Sequence, residues 1–190
     1  MRTKLLPLVS FLLLANAFCY GQRIIINGEE TTRKLQWSDF TGKADESSPF
    51  FARTWWKINY KISKLLVNVD TAALNDSDVK FEVEATLELD PEKSWIKKDK
   101  EADWLLEHEQ GHFICGILCM NEFLASCKKT VFKFNNYQTA LRDLFNRILK
   151  KYSDLGRQYD EETNHGLISK VQSRWSSFLE EQLKAPTLKF

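Results

Sequence analysis

Two stretches in the first half of the chain alternate apolar and polar residues with a period of two. Residues 56–63 do so, and residues 79–89 repeat the pattern more regularly. Because successive side chains of a strand point to opposite faces, each stretch predicts a strand with one buried and one wet face. A polar loop over residues 71–78 joins them, which favours an antiparallel pair. Short apolar runs at 24–26 and 94–96 are further strand candidates.

After these strands the apolar spacing becomes helical. From Lys100 to about Lys128 apolar residues occur nearly all round the helix, which is typical of a helix buried at the centre of a domain. Residues 137–159 and 168–179 each carry one apolar stripe, which indicates two more helices. Strands first and helices later predict an α+β fold, with an N-terminal antiparallel sheet packed on the central helix. The expected boundary residues are Asp99 and then Asn135 or Asn136 at helix starts, with Gly166 and Pro186 after helix ends.

The first residues have the character of an export signal. Residues 1–4 carry positive charge, and the apolar run over residues 5–18 is too short to cross a bilayer as a helix. Small residues allow cleavage after Ala17 or after Gly21, and we favour Gly21. Cys19 suggests a lipoprotein, but the bulky residue before it argues against lipidation.

Composition and charge fit one ordinary globular domain over residues 22–190, behind a signal peptide over residues 1–21. The chain has 190 residues, of which 43% are hydrophobic and 28% charged. Loss of Arg2 and Lys4 with the signal changes the formal net charge from +1 to −1. A nearly neutral chain gives no electrostatic reason to expect nucleic acid as a partner. We expect an exported protein, periplasmic or secreted, with no integral membrane segment after signal cleavage.

Two histidines on the central helix are the strongest candidates for chemistry. His108 and His112 are four residues apart, so both rings lie on one helix face and can occupy two corners of a tetrahedral zinc site. Glu109, next to the first histidine, can take a proton from a zinc-bound water without becoming a ligand. A surface helix that carries these residues by coincidence is the alternative. It is disfavoured because two unpaired imidazoles would be costly to bury in an apolar helix, so the spacing predicts a catalytic Zn²⁺ centre.

A catalytic zinc site needs a third protein ligand and one open position. We expect this ligand to be His165, the remaining histidine of the chain, provided that the preceding helix ends near Thr163 and frees His165 to turn back. Glu162 is the alternative, because a continued apolar stripe would point it inward and because two histidines with a glutamate also form catalytic zinc sites. His165 would otherwise be a cation at a helix end.

Three further residues have two interpretations each. Tyr159 can donate a hydrogen bond to the oxyanion of a tetrahedral intermediate, which makes it a catalytic candidate, or it can be a core tyrosine. Asp160 can orient a ligand histidine through its second ring nitrogen, or it can be a surface acid. Gly111 costs the helix about 1 kcal/mol relative to alanine, so it indicates close approach of another group or tight packing.

Separated segments of the chain occur in an order that resembles a known family. The segments are Leu35–Lys43, Ser94–Trp95, Leu105–Phe113, Tyr159–Gly166 and the pair Gln172 and Trp175. Together they are similar to an uncharacterised family of exported bacterial proteins with an HExxH motif, domain-of-unknown-function family 922, which is predicted to contain zinc-dependent proteases. The resemblance implies a zincin-like fold, a presumed peptidase activity and a second half of the site between Tyr159 and His165. This chain departs from the family at Ile114, where an acid is frequent.

The sequence leaves three functions open. The first is a zinc metallopeptidase acting on a peptide or protein substrate outside the cytoplasm. The second is a zinc hydrolase of another amide or an ester, since the motif activates water and the loops select the substrate. The third is a non-catalytic envelope protein in which zinc stabilises the fold, which requires a fourth protein ligand such as Cys115.

Overall fold

The structure is a computed structural model that describes residues 21–67 and 77–184. The expected signal peptide, except Gly21, lies outside these residues, as do Pro186 and most of the predicted loop over 71–78. Strands come first and helices later, so the predicted α+β class is confirmed. The elements are β1 (Gln22–Ile26), β2 (Glu29–Glu30), β3 (Ala52–Arg53), β4 (Trp56–Val67), β5 (Asp78–Leu89), β6 (Trp95–Ile96), α1 (Asp103–Lys129), β7 (Phe132–Lys133), α2 (Tyr137–Thr163) and α3 (Ser169–Lys184).

The two alternating stretches form the predicted antiparallel pair. β4 and β5 are bonded from Trp56↔Leu89 to Val67↔Val79, with one irregularity between Ile62 and Lys64. Along β5 the odd-numbered residues face the core, as the period of two requires. The larger sheet has the order β2-β1-β5-β4, and β7 extends the β1 side of β5.

The prediction of a purely antiparallel sheet is wrong, because β1 runs parallel to β5. A parallel pair needs a long connection. The chain between β1 and β5 passes through β2, a short 3-10 helix at Trp37–Asp39, β3 and β4. No hairpin links the two strands directly, so nothing local sets their relative direction. β6 forms at the predicted apolar run, but it pairs with β3 in a separate two-stranded sheet.

Helix α1 is the centre of the molecule. It contacts β5 on one side and both α2 and α3 on others, and it buries residues around most of its circumference, as predicted. It begins at Asp103, and Asp99 does not cap it. Asp99 has a left-handed backbone, with φ 60°, and belongs to a turn that precedes the helix, so its side chain cannot serve the first helical amides. Among the described residues, no helix has both the length and the apolar character needed to cross a bilayer.

Helix α2 ends as the sequence predicts, and its end redirects the chain. Three successive residues, Asn164, His165 and Gly166, have positive φ angles of 49°, 55° and 84°. Left-handed backbone is uncommon outside glycine and is concentrated at functional sites. The Thr163 hydroxyl accepts a hydrogen bond from the Gly166 amide at 3.1 Å, which holds the turn. This reversal brings His165 back toward α1 before α3 begins.

Candidate metal centre

A cavity of about 930 Å³ lies between the β3–β4 segment, α1 and the second half of α2. Its volume falls in the range of ligand-binding clefts in proteins. Aromatic side chains form much of its wall. The groups lining it that can bind a metal or transfer a proton include His108, Glu109, His112, Asp160 and His165.

Three imidazoles converge on one oxygen atom. Asp160 Oδ1 lies 3.1 Å from His108 Nε2, 2.8 Å from His112 Nε2 and 3.4 Å from His165 Nδ1. His165 also packs against Phe50, with ring centroids 4.2 Å apart and the rings tilted by 44°. Within the described part of the chain, one set of ligand atoms has a spacing that could hold a metal ion, that of His108, Asp160 and His165, all within 4.8 Å of one another.

The Asp160 carboxylate stabilises positive charge on the imidazoles, and the imidazoles stabilise the negative charge of Asp160. Burial alone would raise the pKa of Asp160, but hydrogen bonds with His108 and His112 hold this pKa well below its usual range. Burial alone would lower the pKa of His112, but the hydrogen bond and the charge of Asp160 raise it. The pocket therefore favours an anion beside positive charge, which a divalent cation would supply. Imidazole nitrogens and a carboxylate oxygen are donors that zinc accepts.

Glu109 is held in place by a residue that the sequence did not single out. Its side chain is 3% exposed, and Oε2 accepts a hydrogen bond of 2.6 Å from the hydroxyl of Thr54. Thr54 lies between β3 and β4 on the cavity wall. The carboxylate therefore has a fixed orientation toward the cavity, next to both helix histidines.

Tyr159 lies behind the histidines and does not line the cavity. Its side chain is fully buried, and its hydroxyl donates to the His108 carbonyl oxygen at 3.1 Å and accepts from Gln172 Nε2 at 2.6 Å. The predicted oxyanion role therefore has no support in this geometry. The position of Tyr159 also explains why residue 111 is a glycine, because a Cβ there would collide with the Tyr159 hydroxyl.

Glu162, the alternative third ligand, is not brought to the cluster. It is exposed, and its carboxylate accepts hydrogen bonds from Trp175 Nε1 at 2.8 Å and from Gln158 Nε2 at 2.7 Å. Cys115 does line the cavity, but burial raises the pKa of its thiol to about 12. It does not belong to the set of closely spaced ligand atoms.

The sequence analysis gave Asp160 two open interpretations and did not predict the contacts that Thr54 and Gln172 make with α1. A signal for Asp160 exists, because Tyr152, Gly156 and Asp160 follow one another at intervals of four and so share a face of α2. That face meets α1, since a Cβ at Gly156 would lie 3.6 Å from His112 Nδ1. Thr54 and Gln172 reach α1 from 55 and 64 residues away, and no local pattern marks them.

Comparison with known proteins gives one match. A family model described as bacterial protein of unknown function (DUF922) matches residues 26–166, which include β2 to β7, α1, α2 and the cavity residues His108, Glu109, His112, Asp160 and His165. A search of curated proteins and a search of solved structures gave no match. Because the model covers most of the chain, this protein belongs to the DUF922 family of bacterial proteins of unknown function.

Proposed function

We propose that this protein is an exported, zinc-dependent metallopeptidase with a zincin-like arrangement of its active-site helix. One observation carries the proposal, the convergence of three ring nitrogens on Asp160 Oδ1 beside Glu109 in a large cavity. His108 and Glu109 are buried, and buried polar groups are costly unless they are paired. A divalent cation bound in the cluster would pair with the imidazole nitrogens and balance the charge of the carboxylates.

The donor set fits a catalytic zinc ion. The closely spaced ligand atoms are those of His108, Asp160 and His165. His112 is not in that set, although its Nε2 lies 2.8 Å from Asp160 Oδ1. In the proposed site His108 and His112 would supply two ligands from α1, and His165 would supply the third from the left-handed turn after α2. Asp160 is the alternative to His165 as third ligand, because its Oδ1 lies 3.1 Å from His108 Nε2 and 2.8 Å from His112 Nε2. The carboxylate of Glu109 bonds Thr54 and lies outside this cluster.

The chemistry of hydrolysis is divided between the ion and Glu109. A bound zinc ion would lower the pKa of a water molecule and polarise the substrate carbonyl. Glu109 would accept the proton of the attacking water and deliver it to the leaving amine. The hydrogen bond from Thr54 keeps the Glu109 carboxylate oriented for this transfer.

Features of the cavity favour a peptide over other amides or esters. β3 lines the cavity and is bonded to β6, and no other strand in the described part of the chain pairs with it. A free strand edge can bind an extended peptide through main-chain hydrogen bonds. Phe50, Trp55 and Leu167 are exposed on the cavity wall, where they would contact apolar side chains of such a peptide.

A cleavage assay on purified residues 22–190, with a peptide library, tests the proposal. We expect cleavage that chelation abolishes and zinc restores. Glu109→Gln should retain bound zinc and the fold but lose about 10²- to 10⁴-fold in turnover, because it cannot accept the proton. Glu180→Gln, an exposed site on α3, is the control and should cleave normally. Turnover of Glu109→Gln at the wild-type level would reject Glu109 as the base.

A structural zinc site is the second candidate, and one observation favours it. Three histidines and Asp160 offer four donors, and four protein ligands close a tetrahedral site. In that case both His165→Ala and Asp160→Ala would lose zinc, zinc removal would unfold the protein, and the library would remain uncleaved.

A further inference from the structure

A chain of buried hydrogen bonds connects α3 to the first histidine of α1. His108 Nδ1 lies 3.1 Å from Gln172 Oε1. Gln172 Nε2 lies 2.6 Å from the Tyr159 hydroxyl, which lies 3.1 Å from the His108 carbonyl oxygen. All three side chains are at most 3% exposed, so water does not compete for these bonds.

The donors and acceptors in this chain can be assigned in one direction. The His108 carbonyl oxygen only accepts, so the single hydroxyl proton of Tyr159 points to it. The Tyr159 oxygen then accepts from Gln172, which requires the amide nitrogen of Gln172 on that side and its amide oxygen toward His108. Because the amide oxygen only accepts, Nδ1 of His108 carries the ring proton.

This tautomer determines which nitrogen of His108 faces the cluster. A neutral imidazole has one N–H group, so a proton on Nδ1 leaves a lone pair on Nε2. Nε2 lies 3.1 Å from Asp160 Oδ1. Without a metal, a proton on Nε2 can bridge these two atoms; a bound cation would take the place of that proton, and the proton held on Nδ1 would leave the Nε2 lone pair for the ion.

We propose that Gln172 is a positioning residue that fixes His108 as the Nδ1–H tautomer and directs the Nε2 lone pair toward the metal, with Tyr159 setting the orientation of the Gln172 amide. The inference rests on the proposed zinc centre. It extends the site to α3, outside residues 26–166 of the family match. It also gives Gly111 a function, since only a residue without a side chain leaves room for the Tyr159 hydroxyl.

The hydrogen-bond network continues from Gln172 away from His108, and this continuation supplies a matched control. Gln172 Nε2 also approaches the Ser176 hydroxyl at 3.2 Å, and Ser176 donates to Glu107 at 2.6 Å. Ser176 lies one turn after Gln172 on α3, and its hydroxyl bonds Gln172 and Glu107 rather than His108. Ser176→Ala therefore removes a bond to Gln172 without removing the acceptor of the His108 proton.

Zinc affinity, measured by competition with a chelator, tests the proposal together with the melting temperature. Gln172→Leu removes the acceptor and should weaken zinc binding about 10- to 100-fold. Gln172→Glu keeps an acceptor for Nδ1–H and should bind zinc close to the wild type, although its buried charge lowers the melting temperature. Ser176→Ala should bind zinc normally. A purely structural role predicts that affinity follows the melting temperature in all three variants, and that result would overturn the proposal.

A measurement on the unaltered protein avoids dependence on variants that fold poorly. In zinc-loaded protein, ¹⁵N NMR of the histidine rings should assign a proton to His108 Nδ1 and the metal to Nε2. Zinc on Nδ1, or wild-type affinity in Gln172→Leu, would reject the role of Gln172 and leave the zinc centre intact. Wild-type protein that binds no zinc would reject the zinc centre and this inference together.

Discussion

Asp160 is the residue on which the cluster converges, because one of its oxygens faces three histidines. The closest contact, 2.8 Å to His112 Nε2, is shorter than the 3.4 Å to His165 Nδ1. Its side chain comes from the last turn of α2, whereas His165 comes from the turn beyond it. In the proposed zinc site, these two residues would compete for one place in the coordination sphere.

Zinc content of single variants decides between them. We expect His165→Ala to bind much less than one zinc per chain, because imidazole is the stronger ligand for zinc. Asp160→Ala should retain zinc at reduced affinity, since it leaves three imidazoles. Metal analysis after dialysis against a defined free-zinc concentration measures both.

Glu162→Ala is the control and should bind zinc normally, because its carboxylate bonds Trp175 and Gln158 outside the cluster. Stoichiometric zinc in His165→Ala, combined with its loss in Asp160→Ala, would assign the third ligand to Asp160.

At the level of elements, a glycine from each of α1 and α2 lies where the two helices face each other, and the two have different surroundings. Gly111 on α1 faces the buried Tyr159 hydroxyl and ring, and Gly156 on α2 faces His112 Nδ1 at an ordinary contact distance of 3.6 Å for an added Cβ. Both lie within helices, so alanine would favour the helix equally at both positions.

Alanine at these two positions should therefore have opposite effects on stability. Gly111→Ala should lower the free energy of unfolding by about 1–3 kcal/mol, because Tyr159 is fully buried and cannot move aside without strain. Gly156→Ala should leave it unchanged or raise it by up to about 1 kcal/mol. Urea unfolding monitored by circular dichroism measures both. Equal effects would show that the collision at Gly111 relaxes freely.

Elements with a strong local period were predictable from sequence, and their long-range partners were not. β5 and α1 were identified because their side-chain patterns follow from backbone geometry alone. The parallel direction of β1 was missed because no turn connects it to β5. The start of α1 was placed three residues early because Asp99 looks like a cap, although its backbone is left-handed.

In the candidate site, too, the residues within one local segment were predictable and those brought from distant segments were not. His108 and His112 are four residues apart, so their spacing alone predicts a shared face, and Glu109 is adjacent to the first of them in sequence. Thr54 and Gln172 contact that turn only because the β3–β4 segment and α3 pack on it. Tyr159 was assigned to the cavity, but the α2 face that lines it carries Tyr152, Gly156 and Asp160, and Tyr159 lies on the neighbouring buried face.

For the whole molecule, metal binding and pH should act on stability through the same residues. In the metal-free protein the lowered pKa of Asp160 stabilises the fold above the ordinary carboxyl pKa of about 4, and this contribution is lost as the pH falls further. The raised pKa of His112 stabilises the fold below the ordinary histidine pKa of about 6.5, and this contribution is lost as the pH rises through the folded-state value. The pair therefore contributes most between about pH 4 and 6.5.

Zinc should counteract the loss of stability that the metal-free protein shows as the pH rises above about 6.5. Histidine ligands must be neutral to bind the ion, so zinc affinity rises with pH, while the metal-free protein loses the contribution of His112. We expect the free energy of unfolding with excess zinc, minus that with chelator, to increase from pH 5 to pH 8. At a free zinc concentration about 1,000 times the dissociation constant the difference should reach about 4 kcal/mol. His112→Ala should abolish the pH dependence that this residue adds to the chelated protein. A difference that is flat or falls with pH in the wild type would mean that zinc does not bind through these imidazoles.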